Sequence, residues 1–384
     1  MMNRIYLDHA ATTPVSPRVL EAMLPFFCEC WGNASAVYAT GREARKAVEN
    51  ARRQAAEALG AQPQEILFTS GGTESDNLAL RGAACALKQK GKHIITSAIE
   101  HHAVLNTCKA LEKEGFEVTY LKPDADGRVA PELLEKAIRD DTVLVSVMAA
   151  NNEIGTLQPI RELAAAAKAR GALFHTDAVQ AMGAVPVNVE DLDVDLLSLS
   201  AHKFYGPKGA GALYVRKGTR LDPVLTGGKQ ERGLRGGTEN VPAIVGLGAA
   251  MADAAANLEE NAAFTAALRD ALEQSILSRV QGVRVNGKIG GRLPNNSSLT
   301  FENVDGEALL LRLDLAGVAA SAGSACTSGS LESSHVLQAI GLDEAQARGT
   351  LRLTVGKDNT REEIAQAADL VVTLAEELRS MYRR

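Results

Sequence analysis

Between residues 65 and 200, short apolar and β-branched runs at 65–69, 93–97, 118–121, 143–148, 173–176 and 196–200 alternate with longer segments, most of them of helical period. Runs this short suit buried strands, and their alternation with helices predicts a mainly parallel sheet covered by helices on both faces. A last strand at 211–215 and a helix from about 240 to 256 close this region. Ahead of it, Ser16 and Pro17 read as an N-cap followed by proline at the first helical position, opening a helix to about Glu29. A second helix over 42–59 ends at Gly60. After an alanine-rich helix at about 261–280 the pattern changes to strands near 283–285, 298–301 and 350–354, interspersed with helices at 307–315, 333–340 and 361–380. The expected fold class is therefore α/β, with a large sheet domain over 16–256 and a smaller α+β domain over 257–384 that takes in residues 1–15.

Composition narrows this picture in three ways. The 384 residues are enough for two cores, and an apolar content of 46% with 23% charged residues is ordinary for a soluble globular chain. A net charge of -6 argues against a chain that wraps nucleic acid or coats an anionic membrane, so neither is expected as a direct partner. Asp8 and His9 precede any apolar run long enough for a secretion signal, and the stretch 308–320 is cut by Arg312 and Asp314 before it could span a bilayer. A cytoplasmic location is expected. The five cysteines lack framework spacing and fit a reducing compartment.

One of those cysteines stands apart. Cys326 lies in the run Ser321-Ala322-Gly323-Ser324-Ala325-Cys326-Thr327-Ser328-Gly329-Ser330, where its neighbours are too small to bury a thiol. A structural cysteine packs among larger apolar side chains; a reactive one needs access and a stabilised thiolate. Cys85 and Cys108 fall in predicted helices and read as core residues, and Cys28 and Cys30 have no second pair with which to complete a tetrahedral site.

In an open α/β sheet, ligands collect at the carboxyl ends of the strands, and three polar clusters fall there. Gly71-Gly72-Thr73-Glu74-Ser75 ends the first run in glycines and hydroxyls where a helix begins, a setting that can hold a phosphate. Asp177 and Gln180 follow the run at 173–176, and Ser200-Ala201-His202-Lys203 follows the run at 196–200. Each cluster alone also reads as a capped turn or a surface lysine. Together, and in this order, they supply what pyridoxal 5'-phosphate needs: a lysine for the Schiff base, a carboxylate for the ring nitrogen and a phosphate cup. Glu100-His101-His102 lacks the His-Glu-x-x-His spacing of a helical zinc site, so no metal is expected.

With these residues in view, the chain resembles the cysteine desulfurases of the NifS/IscS type, in the class V aminotransferase-like branch of the fold-type I pyridoxal phosphate enzymes. The likeness runs almost end to end. It includes Tyr6-Leu7-Asp8 with Ala11-Thr12-Thr13, Gly72-Thr73-Glu74-Ser75, Glu100-His101, Ala150 to Gly155, His175 to Gln180, Ser200 to Lys203, Arg235 to Thr238, Ser324 to Ser328, and Leu351-Arg352-Leu353. The resemblance implies that Lys203 bears the cofactor, Asp177 pairs with its ring nitrogen and Gln180 bonds its ring hydroxyl. It implies that His101 stacks on the ring and moves protons, and that Gly72, Thr73, Ser200 and His202 cradle the phosphate. Thr238 would reach that phosphate from the other subunit of a homodimer, while Asn152 and Arg352 would take the carboxylate of L-cysteine. Two parallel hydrogen bonds suit a guanidinium to that last task.

The implied reaction converts L-cysteine to L-alanine and leaves a persulfide on Cys326, to be handed to an iron–sulfur scaffold protein or a tRNA thiolation enzyme. The length of the stretch 327–334 resembles the class I desulfurases. A selenocysteine lyase or an aminotransferase of the same fold is the alternative. The family often has a histidine shortly after Gly-Asn-Pro-Ser; here Gly32-Asn33-Ala34-Ser35 is followed by Tyr38.

Overall fold

The computed structural model of the protein describes residues 4–322 and 334–382. In chain order its strands are β1 (Ile5–Tyr6), β2 (Ile66–Thr69), β3 (His93–Ser97), β4 (Glu117–Leu121), β5 (Thr142–Ser146), β6 (Leu173–Asp177), β7 (Leu196–Ser200), β8 (Gly211–Val215), β9 (Val283–Val285), β10 (Asn296–Phe301), β11 (Val318–Ala319), β12 (Ser321–Ala322) and β13 (Thr350–Thr354). Seven of them form one sheet in the order β2-β8-β7-β6-β5-β3-β4, in which β8 alone runs against its neighbours. Its parallel strands therefore all end at one edge, which collects Thr69, Ser97, Asp177 and Ser200.

Strand alternation distributes the apolar residues to the two faces. Ile66, Phe68, Ala212 and Tyr214 join the core under the helices Ala39–Leu59 and Val241–Ala256. Leu67 and Leu213 face the other way, against the helices Gly72–Leu87 and His102–Lys113. The expectation of an α/β fold with a mainly parallel, doubly covered sheet is met.

A second, antiparallel sheet has the order β12-β13-β10-β9 and packs on the helices Leu258–Leu277 and Arg361–Tyr382. Ile5 and Leu7 join this apolar cluster, and β1 pairs in parallel with β11. Among the described residues no single helix is long and apolar enough to cross a membrane.

Ser16 caps its helix as its sequence predicts, accepting a hydrogen bond from the Val19 N–H. That helix is shorter than expected, however. It runs over Pro17–Met23 and a separate turn follows at Pro25–Cys28, because Pro25 has no N–H to extend the ladder. The two-residue strands β1, β11 and β12 are too short to leave a pattern in the sequence.

Next to β2, the segment after Lys229 turns through left-handed backbone at Glu231 (φ 43°) and Arg232 (φ 59°). The turn is held by a buried ion pair: Arg52 Nη1 and Nη2 donate to the two carboxylate oxygens of Glu231 at 2.8 and 2.7 Å, and Glu231 also accepts the Phe68 N–H. Glu231→Ala would strand the buried Arg52 guanidinium. It is expected to lower the unfolding free energy by about 3–5 kcal/mol, measurable by chemical denaturation.

Candidate active site

A cavity of about 300 Å³ opens at the edge where the parallel strands end. Its walls include Gly72, Thr73, His101, Asn152, Asp177, Gln180, Ser200, His202, Lys203 and Arg352, so ten of the sequence-derived candidates converge on one space. A volume of that size lies at the small end of the range for cofactor and substrate sites.

Lys203 ends the 3-10 turn Ala201–Lys203 just past β7, and its Nζ donates to the carbonyls of Ala10 and Ala11 at 2.5 and 2.8 Å. Asp177 is the last residue of β6 and is 5% exposed. It accepts the Val179 N–H at 2.9 Å. Burial pushes its carboxyl up to about 6, against that hydrogen bond and the nearby Lys203 charge. Gln180 donates from Nε2 to the Ala10 carbonyl at 2.9 Å.

His101 caps the helix His102–Lys113, its Nδ1 accepting the Ala103 N–H at 3.1 Å. Burial, then the charges of Lys203 and His102, push its imidazole down to about 4. At neutral pH it is an uncharged base. His202 is lowered to about 4 by burial and by Lys203, and its Nδ1 lies 3.0 Å from Thr12 Oγ1.

The cup opposite Lys203 is made where β2 turns into the helix Gly72–Leu87, whose first N–H groups have no acceptor within the helix. A Cβ at Gly72 would meet Val179 Cγ2 at 2.8 Å, whereas at Gly71 it would come no nearer than 3.6 Å, to Ser200 Oγ. The glycines leave backbone N–H groups open beside the Thr73 and Ser200 hydroxyls. That donor set fits a phosphate, Asp177 fits a pyridinium and Lys203 fits an aldehyde, so the cavity's chemistry suits pyridoxal phosphate.

Arg352 comes from β13 in the second sheet and is only 2% exposed. Its Nη2 donates to Asp8 Oδ1 at 2.8 Å and its Nη1 to the Asn152 carbonyl at 3.0 Å, while its Nε has no partner. Part of the guanidinium is thus spoken for and part is not.

Two candidates are not on this cavity. Thr238 is exposed and lines a separate depression with Thr69, Ser70 and Gly209. Cys326 lies outside the described residues. Tyr38 is 61% exposed, ahead of the helix Ala39–Leu59, and takes no part in the cavity. Among the described residues no group of three or more His, Cys, Asp or Glu side chains is arranged to hold a metal. Cys108 is buried in the core, as expected, and Cys85 is partly so.

The structure adds residues to which sequence reasoning gave no part: Asp8, Asp76, Glu100, Glu153, His102 and His335. Glu153 accepts a 2.5 Å hydrogen bond from Ser334 Oγ, and burial pushes it up to about 7. The rings of His102 and His335 lie 4.8 Å apart, tilted by 48° to one another, and His335 Nε2 lies 3.0 Å from the Glu100 carbonyl. A readable signal existed for Asp76, which shares the apolar face of its helix with Ala79, Leu80 and Ala83.

The model of the aminotransferase class-V family matches residues 5–366. The chain is 54% identical over 377 residues to the cysteine desulfurase IscS of Methanosarcina thermophila, covering 98% of this chain and 93% of that one. It is 52% identical to the cysteine desulfurase IscS of Dictyoglomus turgidum, covering 99% and 97%. Among solved structures, a NifS-like protein superimposes with a TM-score of 0.92 at 41% identity, over 97% of this chain and all of the other. SspA in complex with cysteine superimposes with a TM-score of 0.83, also at 41% identity, over 93% of this chain and all of the other.

Proposed function

The chain belongs to the aminotransferase class-V family as one of its cysteine desulfurases, and we propose that it works with pyridoxal 5'-phosphate held at the cavity between Lys203 and Arg352. The observation that carries this reading is the convergence of Lys203, Asp177, the Gly72 helix start and Arg352 on one space of about 300 Å³. When bound, pyridoxal phosphate supplies an electron sink for the charge released when bonds to the amino-acid carbon break.

The chain's own residues do the rest. Lys203 would anchor the group and afterwards carry protons, Asp177 would pair with the ring nitrogen and Gln180 would bond the ring hydroxyl. The N–H groups after Gly72, with Thr73, Ser200 and His202, would hold the phosphate through hydrogen bonds. His101 would stack on the ring and help move protons: uncharged at neutral pH, with Nδ1 accepting the Ala103 N–H, it holds its own proton on Nε2. Arg352 and Asn152 receive the carboxylate of L-cysteine.

The sulfur step falls to Cys326. Its thiolate attacks the substrate sulfur, an S–S bond forms, and the substrate C–S bond breaks with its electron pair going to carbon. A proton at that carbon completes L-alanine, and the persulfide stays on Cys326. Mass spectrometry after incubation with L-cysteine tests this: one added sulfur on the Cys326 peptide and free alanine are expected, and neither would appear if the reading were wrong. A thiol that must stay reduced supports action in the cytoplasm, and the chain's four cysteines in the described residues are free.

Arg352 gives a sharper prediction. Arg352→Lys keeps the charge but loses the fork, and it leaves Asp8 and the Asn152 carbonyl competing with substrate for one ammonium. KM for L-cysteine is expected to rise about 100-fold with a smaller change in kcat, a loss of roughly 3 kcal/mol in kcat/KM.

A homodimer with shared sites is part of the proposal. Its support is that Thr238 is exposed away from the chain's own cavity, together with the exposed apolar side chains of Leu24, Phe27, Trp31 and Val37. An iron–sulfur scaffold protein or a tRNA thiolation enzyme would accept the persulfide sulfur, and transfer of labelled sulfur to each distinguishes them.

A further inference from the structure

Four carboxyl groups line the cavity: Asp177, Glu153, which accepts the Ser334 Oγ–H, and then Asp76 and Glu100. The last two have no place in the reaction described above, yet they are 1% and 0% exposed. One oxygen of each, Asp76 Oδ1 and Glu100 Oε2, is buried without a hydrogen-bond partner. Glu100 uses its other oxygen fully, accepting Ser97 Oγ–H at 2.5 Å and the Met148 N–H at 2.9 Å.

The charges that could balance them are few. His175 is fully buried in β6, with Nδ1 2.8 Å from Ser146 Oγ and Nε2 3.0 Å from Ser198 Oγ. Its Nε2 lies 3.7 Å from Asp76 Oδ1, but burial pushes the imidazole down to about 3, so it stands there uncharged. His101 and His202 are uncharged for the same reason. Arg352 is engaged with Asp8. Lys203 is the cation that acts on Asp177, which also has the Val179 N–H. With Asp177 ionised, charges on Asp76 and Glu100 in the same desolvated space would repel it and each other, and the hydrogen bonds from Ser198 to Asp76 and from Ser97 and Met148 to Glu100 offset that only in part.

We propose that Asp76 and Glu100 are held as neutral carboxylic acids, positioning residues that leave Asp177 the one negative charge of the three. Burial and the charge of Asp177 both favour this, pushing Asp76 well up and Glu100 up to about 8. On the reading of the site given above, the consequence is twofold. The ring nitrogen meets one undivided anion, and the phosphate and the substrate carboxylate enter a space that does not repel them.

The test uses the native holoenzyme with Asp76→Asn and Glu100→Gln, each a neutral group of the same shape. Infrared spectra at neutral pH are expected to show protonated-acid carbonyl bands, one of which each variant loses. Native electrophoresis is expected to show no change of net charge in either variant. An unchanged infrared spectrum, or a gain of one positive charge, would overturn the proposal.

Unfolding gives an independent measure. A carboxyl whose folded pKa is raised binds its proton in the folded state and has lost it in the unfolded chain, so stability falls as pH rises from the ordinary carboxylate range toward about 8. Glu100→Gln is expected to remove a tenfold increase in the unfolding constant per pH unit over that window. An unchanged slope counts against the proposal. If a variant does not fold, the native protein still decides: no acid band at neutral pH refutes it. A chain that proved to bind no cofactor would keep both bands, so the two readings fail separately.

Discussion

Replacing Cys326 with alanine is expected to cut the production of L-alanine from L-cysteine by roughly three orders of magnitude or more and to abolish the persulfide. Attack on the substrate sulfur needs a group that bonds sulfur and then releases it, and alanine has no such atom. Serine at the same position is expected to fail as well, because an alkoxide is neither accessible at neutral pH nor a carrier of sulfur. Binding is the control. Arg352, Asn152 and Asp177 are untouched by the change, so the affinity for L-cysteine should stay within a few-fold of the native value. Stopped-flow binding, alanine assay and peptide mass spectrometry separate the two. Alanine formed at native rates, with the sulfur released as sulfide by an added thiol reductant, would sink the persulfide step and turn attention to a selenocysteine lyase or an aminotransferase.

The second large effect is expected at Lys203. Lys203→Ala removes the proposed covalent anchor and proton carrier, and kcat should fall by about 10²- to 10⁴-fold from the proton-transfer role alone. The variant should also fail to retain pyridoxal phosphate covalently after borohydride reduction, a readout independent of turnover. Lys203→Arg is not expected to rescue. A guanidinium stays protonated and is no nucleophile, even if it keeps the hydrogen bonds to the Ala10 and Ala11 carbonyls.

Much of the large sheet was legible because each strand is a continuous apolar run bounded by polar turns, and buried parallel strands demand that composition. Asp177, Ser200 and Lys203 were legible for a related reason: polar residues directly after such runs must lie at the strand ends. What could not be read was pairing at a distance. Nothing local in Tyr6-Leu7-Asp8 says that Asp8 meets Arg352, and a two-residue strand such as β1 takes its structure from β11 rather than from its own preference. In the sequence Glu100 stands beside two histidines, which invites a metal reading; only the fold shows its side chain turned to Ser97 and Met148. The break at Pro25 is masked in the sequence because the apolar pattern continues through it.

The pairing of Asp8 with Arg352 also bears on when the protein becomes active. The two residues are 344 positions apart, and the Ala10 and Ala11 carbonyls must likewise wait for Lys203. At about 5–20 residues per second, a ribosome needs roughly 20–70 s to travel from Asp8 to Arg352. The large sheet can be complete in that interval while the proposed substrate clamp is not, because its last strand is still unmade. A nascent chain would thus acquire a place for the cofactor before it could bind cysteine, and sulfur would not be mobilised on an unfinished enzyme.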